Sequence, residues 1–238
     1  MLRNYLVIAL RNLWKHRLFS AINILGMAIG MAACLLILLY IRHEISYDRF
    51  HADSDRMYRI LTIDKALGVS SSLVGITMPP LGPSLVKDFP EVELTARVTG
   101  TTRAMLTHEE QQVFADPYRA ADSTFFRMFD FKLLRGDPDR VLASPFSIVL
   151  TESLARRMFG EIDPVGKVIE SQSGYELTVT GIAADVPGNS HLQFEALYSM
   201  ISFEAAFAQN NPDSPNPPWT QFWGMIAMPT YIRLAEGA

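Results

Sequence analysis

The sequence predicts an α+β fold, in which an N-terminal transmembrane helix precedes a mixed, strand-rich extracytoplasmic domain. Residues 18–41 form an uncharged run that is long enough for a membrane helix. After this run, short segments typical of strands outnumber those typical of helices. The few predicted helices are also short, and this combination favours the α+β class.

Charge and cysteine content exclude several classes of function. The net charge is −4, and the four basic residues within 1–17 contribute +4, so the remainder carries −8. A basic start followed by a mildly acidic body argues against nucleic acid as a partner. The single cysteine, Cys34, lies within the apolar run, so the chain can form neither an intrachain disulfide nor a cysteine-based metal site.

The uncharged run is bracketed by Arg17 and Arg42. As a helix it would extend about 36 Å, more than the ~30 Å of hydrocarbon in a bilayer. A buried helix of a soluble protein rarely contains so long an uncharged run. A cleaved signal peptide would have a shorter apolar region of roughly 7–15 residues. Cleavage at a lipoprotein-like box before Cys34 would leave an apolar new N-terminus, so we predict a membrane helix.

The flanking charges predict the orientation of this helix. Basic residues without acids precede it, whereas acids and bases are mixed after it, and positive flanks stay in the cytoplasm. We therefore predict an inner-membrane protein with a single span in this chain, a cytoplasmic N-terminus and a periplasmic main domain. The predicted divisions are a cytoplasmic amphipathic segment at 1–17, a transmembrane helix at 18–41 and the outer domain at 42–238.

Small residues recur on one side of the predicted membrane helix. Gly26 and Gly30 form a GxxxG pair, and Ala33 continues the same face. Such a face allows a second helix to approach closely, although glycine is also common in membrane helices without this role. Both interpretations stay open.

The outer domain alternates strands with short helices. Strands are predicted at 57–63, 92–98, within 104–119, and at 131–134, 146–150, 168–171, 177–184, 194–201 and 225–234. Helices are predicted after Pro80 up to Pro90, around 125–129, and from the Thr151 cap to Gly160. Residues 68–77 have no helical pattern, and 209–218 are predicted to form a loop.

The sequence contains no motif that indicates a reaction. The segment from Gly160 to Lys167 resembles a phosphate-binding loop, but its glycines are spaced wrongly and Val168 replaces the required Ser or Thr. Nucleophile-elbow and dinucleotide fingerprints do not occur, and the five histidines are scattered. We therefore expect no enzyme activity, no cofactor and no metal, and we assign no catalytic residues.

A series of short motifs resembles the bacterial ABC-transporter permeases of the MacB/FtsX type. Each motif alone is weak, but their order and spacing together are specific, and they cover nearly the whole chain. The motifs are EISYDRFH at 44–51, DRMYR at 55–59, MPPLGP at 78–83, DFPEV at 88–92, ADSTFFRMF at 121–129, LRGDP at 134–138, SIVLTE at 147–152, DPVGK at 163–167, VTG at 179–181, VPGNSH at 186–191 and TYIRL at 230–234.

The resemblance assigns structural roles, not catalytic ones, to residues within these motifs. Asp163, Pro164 and Gly166 are expected to form a tight turn, and the 189–191 motif to bind its own backbone. The residues expected to have structural roles are Tyr47, Asp48, Phe50, His51, Asp55, Arg56, Tyr58, Arg59, Pro90, Asp163, Pro164, Gly166, Gly181, Asn189, Ser190 and His191.

The resemblance also implies an architecture and a function. A MacB-like periplasmic core domain would consist of a porter-like subdomain, built from both ends of the segment, and an inserted β-rich subdomain. The permease would lie in the lipid bilayer, pair with an ABC ATPase on a separate chain, and form a homodimer or a pseudo-dimer with a second permease half. ATP hydrolysis would move the outer domain to drive export, lipoprotein release or cell-wall enzyme activation.

Family permeases contain at least three further membrane helices, so we expect this chain to be the N-terminal part of a longer permease. The alternative is a single-span anchor that presents an extracytoplasmic binding or sensor module without transport activity. Association with an ATPase distinguishes the two hypotheses.

Overall fold

The computed structural model describes residues 2–63 and 73–238. The chain divides into two compact units, the first ending at Tyr47 and the second beginning at Asp48. The second unit starts six residues after the predicted boundary at 42, because the apolar helix continues beyond the uncharged run to Ile45.

The first unit contains two helices, α1 (Leu2–Lys15) and α2 (Arg17–Ile45). No residue of α2 is buried, and among the described residues it alone is long and apolar enough to cross a membrane. The predicted packing residues Gly26, Gly30 and Ala33 are all exposed, and no atom lies within 4 Å of an added Cβ at either glycine. The small-residue face is therefore open along its length.

The second unit is strand-rich. Its strands are β1 (Met57–Arg59), β2 (Thr62–Ile63), β3 (Leu73–Val74), β4 (Val92–Arg97), β5 (Thr102–His108), β6 (Gln111–Ala121), β7 (Leu133–Arg135), β8 (Ser147–Thr151), β9 (Val168–Ser171), β10 (Glu176–Ala183), β11 (Ala196–Ser199) and β12 (Thr230–Leu234). Its α-helices are α3 (Leu81–Asp88), α4 (Phe125–Met128), α5 (Glu152–Phe159) and α6 (Ser202–Asn210), and single 3-10 turns span Ser54–Arg56 and Trp219–Gln221.

Most predicted elements are present, but several predicted bounds are wrong. The strand predicted at 57–63 is divided between β1 and β2, which belong to different sheets. The strand predicted from 225 begins only at Thr230, and the loop predicted from 209 is preceded by α6, which the sequence did not indicate. Residues 68–72 of the predicted non-helical stretch lie outside the described residues.

A three-stranded antiparallel sheet joins the two ends of the second unit. Its order is β1–β12–β4, and Met57 of β1 lies opposite Arg233 of β12. Helix α3, which begins after Pro80 and ends before Pro90, packs against β4 and β12. This arrangement confirms the expected subdomain made from both ends of the segment.

The inserted residues form a seven-stranded mixed sheet in the order β7–β10–β8–β11–β6–β5–β9. An additional pairing between β9 and β10 closes six of these strands, all except β7, into a ring. Strand β8 is buried along its whole length, as expected of a central strand with apolar contacts on both faces.

Helices lie at both ends of this ring. Helix α5 contacts β6, β8 and β10 at one end, where Phe159 packs against His108. Thr151 caps α5 through its side-chain oxygen, and Gly160 ends it at φ 61°. Helix α6 follows β11 at the opposite end, with Phe203 against Tyr198.

One apolar cluster joins the three-stranded and seven-stranded sheets. Leu94 and Tyr231 from the three-stranded sheet pack in the same cluster as Phe125 of α4 and Leu197 of the ring. The rings of Phe125 and Phe131 stack with centroids 5.5 Å apart. Because this core is continuous, residues 48–238 form a single compact unit.

Candidate functional site at the start of the outer domain

Asp48, the first residue of the second unit, is bound by a distant turn. Its backbone N–H donates to the carbonyl oxygen of Asn189 at 3.0 Å. Its carboxylate Oδ1 accepts from Ser190 Oγ and from the backbone N–H of His191, each at 3.1 Å. Asp48 adopts φ 56°, a left-handed conformation that aspartate tolerates better than most residues.

The same carboxylate binds the imidazole of His191, which in turn binds strand β12. Asp48 Oδ2 lies 2.6 Å from His191 Nδ1, and His191 Nε2 lies 2.9 Å from the hydroxyl of Tyr231. A neutral imidazole satisfies both contacts when Nδ1 carries the proton and the tyrosine hydroxyl donates. We call these four residues, Asp48, Ser190, His191 and Tyr231, the Asp48 clamp.

His51 anchors the next turn in the aromatic core. Its side chain is 3% exposed, and its ring centroid lies within 5.4 Å of the ring centroids of Phe129 and Phe131. Nδ1 accepts a hydrogen bond of 3.0 Å from the backbone N–H of Asp130, and Nε2 has no partner among the described residues. Burial lowers the pKa of His51, and the carboxylates of Asp130 and Asp48 offset part of this effect. The ring is therefore held in the neutral form.

This region contains a small cavity of about 200 Å³. The residues that line it include His51, Arg59, His191 and Tyr231. The Asp48–His191–Tyr231 chain superficially resembles a proton relay. However, burial raises the pKa of the Tyr231 phenol, which makes this hydroxyl a poor nucleophile. The arrangement is suited to holding backbone segments together, and no group of potential metal ligands occurs in the described parts of the chain.

Four charged residues form a closed ring of ion pairs beside the clamp. Arg56 contacts Asp53 at 2.7 Å and Glu93 at 3.2 Å, and Arg233 contacts Asp53 at 3.1 Å and Glu93 at 2.9 Å. Hydrogen bonds from Arg56 and Arg233 lower the pKa values of Asp53 and Glu93, respectively. We call Asp53, Arg56, Glu93 and Arg233 the ion-pair ring.

The ion-pair ring joins three segments that are distant in sequence. Asp53 and Arg56 lie just before β1, Glu93 lies in β4, and Arg233 lies in β12. Arg56 also donates to the carbonyl oxygen of Leu234 at 2.7 Å, and Arg233 to that of Arg127 at 3.0 Å. The first and last segments of the outer domain are thus bound to each other by side chains as well as by strand pairing.

The remaining motif residues that follow α2 in the sequence make contacts of their own. Phe50 packs edge-on against Phe131, and the Asp55 carbonyl accepts from the Tyr58 hydroxyl at 3.3 Å. Arg59 donates twice to the carbonyl oxygen of Gly75. Tyr47, at the end of the helical unit, packs edge-on against His43, whereas Pro90 is exposed after α3.

Two motifs predicted from the sequence lie away from this region. Asp163 accepts from the backbone N–H of Val165 and pairs with Arg135, while Gly166 has φ +84° and the Lys167 N–H donates to Pro164. These residues form a turn before β9. Gly181 lies in β10, where an added Cβ would come within 2.9 Å of the Arg135 carbonyl oxygen and 2.8 Å of Val141 Cγ1.

Sequence reasoning missed the partners that complete the two clusters. The 189–191 motif was expected to bind its own backbone, and Ser190 Oγ does accept from the Leu192 N–H. Its main partner, however, is Asp48, which is 142 residues away from Ser190. Asp130, Glu93 and Arg233 carry no local signal that identifies their partners, although Tyr231 and Arg233 lie within the TYIRL motif.

Comparisons with known proteins agree with this architecture. Residues 20–238 match the family described as the MacB-like periplasmic core domain. A comparison with curated proteins found no match. A crystal structure of a domain of a proposed permease from Porphyromonas gingivalis is similar to this chain, with a TM-score of 0.61 and 24% identity over 79% of each chain.

Two further solved structures show the same kind of likeness. The periplasmic region of MacB from Actinobacillus actinomycetemcomitans has a TM-score of 0.52 and 12% identity, over 82% of this chain and 81% of that one. The extracellular domain of the noncanonic ABC-type transporter YknZ from Gram-positive bacteria has a TM-score of 0.48 and 11% identity, over 76% and 83% of the two chains. The Porphyromonas gingivalis and Actinobacillus actinomycetemcomitans structures share the fold of the outer domain.

Proposed function

Because this chain belongs to the family of MacB-like periplasmic core domains, we propose that it forms the first membrane helix and the outer domain of an ABC-transporter permease of the mechanotransmission type. In this proposal, ATP hydrolysis by a partner in the cytoplasm drives movement of the outer domain. The output would be export from the periplasm, lipoprotein release or activation of a cell-wall enzyme.

The Asp48 clamp is the observation that carries this proposal. A movement of α2 can be passed to an outer domain only if the residues that follow the helix are held firmly by that domain. Asp48 follows the last residue of the helical unit, and its backbone and carboxylate together make four hydrogen-bond contacts with the 189–191 turn. Charged hydrogen bonds of this kind contribute about 1.5–3 kcal/mol each.

The ion-pair ring extends the same connection to both ends of the outer domain. It binds the segment before β1 to β4 and to the end of β12, and its two arginines each contact both acids. A network of this kind holds its geometry better than isolated surface pairs. Force applied at the first segment would therefore reach the whole three-stranded sheet.

We further propose an inner-membrane location with a cytoplasmic N-terminus and a periplasmic main domain. The basic, acid-free residues 1–17 support this orientation. The proposed partners are an ABC ATPase on a separate chain and a second permease half, either an identical chain or a related one. The chain itself would have no enzyme activity, which is consistent with polar groups in the Asp48 clamp that are already bonded to one another.

Association with an ATPase tests the permease proposal. The tagged protein, purified from native membranes in mild detergent, should retain a nucleotide-binding subunit that mass spectrometry identifies. If no nucleotide-binding subunit is retained by the full-length protein, the alternative of an anchored binding or sensor module is favoured instead.

The exposed small-residue face of α2 gives a second test of assembly. Gly26→Leu together with Gly30→Leu should reduce cross-linking between permease halves, because the side chains would block close helix approach. Ala28→Leu, a change on the opposite face of the helix, serves as the matched control. Equal cross-linking of the two variants would argue against packing through this face.

Coupling can be measured separately from assembly. A spin label at Asp213→Cys, in a Cys34→Ala background, should report a change in distance between outer domains when a non-hydrolysable ATP analogue is added to the assembled complex. Asp48→Asn should retain the ATPase but reduce this change. An unchanged response in Asp48→Asn would show that the clamp does not transmit movement.

A further inference from the structure

The closed ring of strands has a cavity at one mouth. The cavity has a volume of about 440 Å³, within the range of small-molecule sites. All six strands of the ring contribute to its lining, either directly or through the residue next to the strand, and α6 lies over it. The lining includes Thr102, Tyr118, Phe146, Ser171, Leu177 and Tyr198. Helix α5 contacts β6, β8 and β10 at the opposite end of the ring.

Aromatic rings form the walls of this cavity. Tyr118 and Tyr198 stack with centroids 4.7 Å apart and an interplanar angle of 16°, and Phe146 and Tyr175 stack at 5.5 Å and 19°. Phe203 of α6 contributes a fifth ring. Aromatic side chains that line an open cavity suit a flat apolar body that can pack against them.

Among the polar groups of the lining, several acceptors already receive hydrogen bonds, whereas two phenol donors are free of partners in the described residues. Protein N–H groups already occupy the side-chain oxygens of Ser202, Ser171 and Gln172, at 2.8, 3.2 and 3.5 Å. The hydroxyls of Tyr118 and Tyr198 make no hydrogen bond within residues 2–63 and 73–238, and burial raises both pKa values, so each phenol keeps its proton.

The charge at the rim also favours an anionic occupant. Arg103 is exposed at the edge of the cavity, where its guanidinium lies 3.9 Å from the ring centroid of Phe114. No aspartate or glutamate is among the described residues that line the cavity. An occupant with a positive charge would therefore meet a cation and several donors, whereas a carboxylate would meet partners of the correct kind.

We propose that the mouth of the strand ring is a binding site for a small aromatic carboxylate. Its flat ring system would pack against the aromatic side chains that line the cavity. Its carboxylate would accept hydrogen bonds from the Tyr118 and Tyr198 hydroxyls and face Arg103. This site lies apart from the Asp48 clamp and does not depend on the transport proposal.

Naphthalene-2-carboxylate is a suitable probe, and 2-naphthylmethylammonium has the same apolar body with the opposite charge. Isothermal titration calorimetry with the full chain in lipid nanodiscs should show at least roughly tenfold tighter binding of the carboxylate. Empty nanodiscs measure partition into lipid. Equal affinity for the two probes, or no binding above the lipid background, would overturn the proposal.

Variants locate the binding to this cavity. Tyr198→Phe keeps the ring and should weaken binding of the carboxylate probe roughly tenfold. Arg103→Gln should reduce the difference in affinity between the carboxylate and ammonium probes. Ala206→Phe should fill the cavity and abolish binding, whereas Tyr58→Phe, on the three-stranded sheet, should bind like the wild type. Circular dichroism checks that each variant is folded, and unchanged binding by folded Tyr198→Phe and Ala206→Phe would refute the assignment.

Discussion

The carboxylate of Asp48 lies 2.6 Å from Nδ1 of His191, across 143 residues of sequence. This contact joins the first residue of the outer domain to a turn between β10 and β11, and His191 continues it to Tyr231 in β12. We expect the connection to contribute measurably to stability, because the carboxylate also accepts from Ser190 and from a backbone N–H.

Asp48→Asn should destabilise the outer domain by about 1–3 kcal/mol, since the amide cannot replace the charged hydrogen bonds. Asparagine tolerates the φ of 56° at this position, so the change adds little backbone strain. Urea unfolding followed by far-ultraviolet circular dichroism measures the difference. Asp213→Asn, in an exposed loop, is the control and should stay within ±0.5 kcal/mol.

The buried imidazole of His51 predicts a dependence of stability on pH. Its pKa is lowered in the folded protein from the ordinary value of 6.5, so the unfolded chain binds a proton at a higher pH than the folded one. The contribution of His51 is therefore complete above pH 6.5 and is lost as the pH falls below it. His51→Asn keeps an acceptor for the Asp130 N–H and should reduce the loss of stability between pH 7.5 and 5.5. An unchanged pH dependence would show that His51 does not control it.

Arg233→Gln should break the ion-pair ring and lower the free energy of unfolding by about 1–2 kcal/mol, because two carboxylates lose a partner. The Arg233 side chain is only 14% exposed, so water replaces these contacts poorly. Arg140→Gln removes an isolated and exposed pair and should have little effect. Chemical unfolding at pH 7 measures the free energy of unfolding of both variants. A similar loss in the two variants would mean that the ring adds nothing beyond ordinary surface pairs.

Acid should weaken the same ring. The pKa values of Glu93 and Asp53 are lowered in the folded protein from 4.5 and 3.8, so their stabilising effect is present above these values and is lost as the pH falls below them. Arg233→Gln should flatten the dependence of the unfolding midpoint on pH below 4.5. The wild type and the variant would respond equally to acid if Arg233 were not the partner that matters.

Gly181→Ala should destabilise the outer domain by about 1–3 kcal/mol through overpacking. The added Cβ would meet the backbone carbonyl of Arg135 and a methyl group of Val141, both closer than 3.0 Å. Gly188→Ala is the matched control, because no atom lies within 4 Å of its added Cβ. Thermal unfolding of the two variants side by side would contradict the prediction if their midpoints were equal.

Local patterns in the sequence were sufficient for most elements of the fold. Pro80 and Pro90 bracket α3, and Thr151 and Gly160 bracket α5, because these residue types act on the backbone within one turn. Helix α6 was missed because its apolar residues, at 203 and 205–208, are spread around the helix and do not form one consistent face.

The partners within the site depend on topology, which local patterns do not contain. The VPGNSH and EISYDRFH motifs could be recognised separately, yet nothing in either one indicates that Ser190 and His191 bind Asp48. The same is true of Arg233 and Glu93, which pair only because β12 lies between β1 and β4. Closure of the strand ring by β9 and β10 likewise requires pairings across the whole inserted region.

The pairing of β1 with β12 has a consequence for the order of folding. Met57 lies opposite Arg233, so the three-stranded sheet cannot form until nearly the whole outer domain has been synthesised. Strands β5 and β6, in contrast, are neighbours in sequence and can pair early. We therefore expect the inserted ring to fold first and the three-stranded sheet to assemble last. Ribosome stalling before residue 230 should yield a chain in which the strand ring resists protease and the segments of the three-stranded sheet do not.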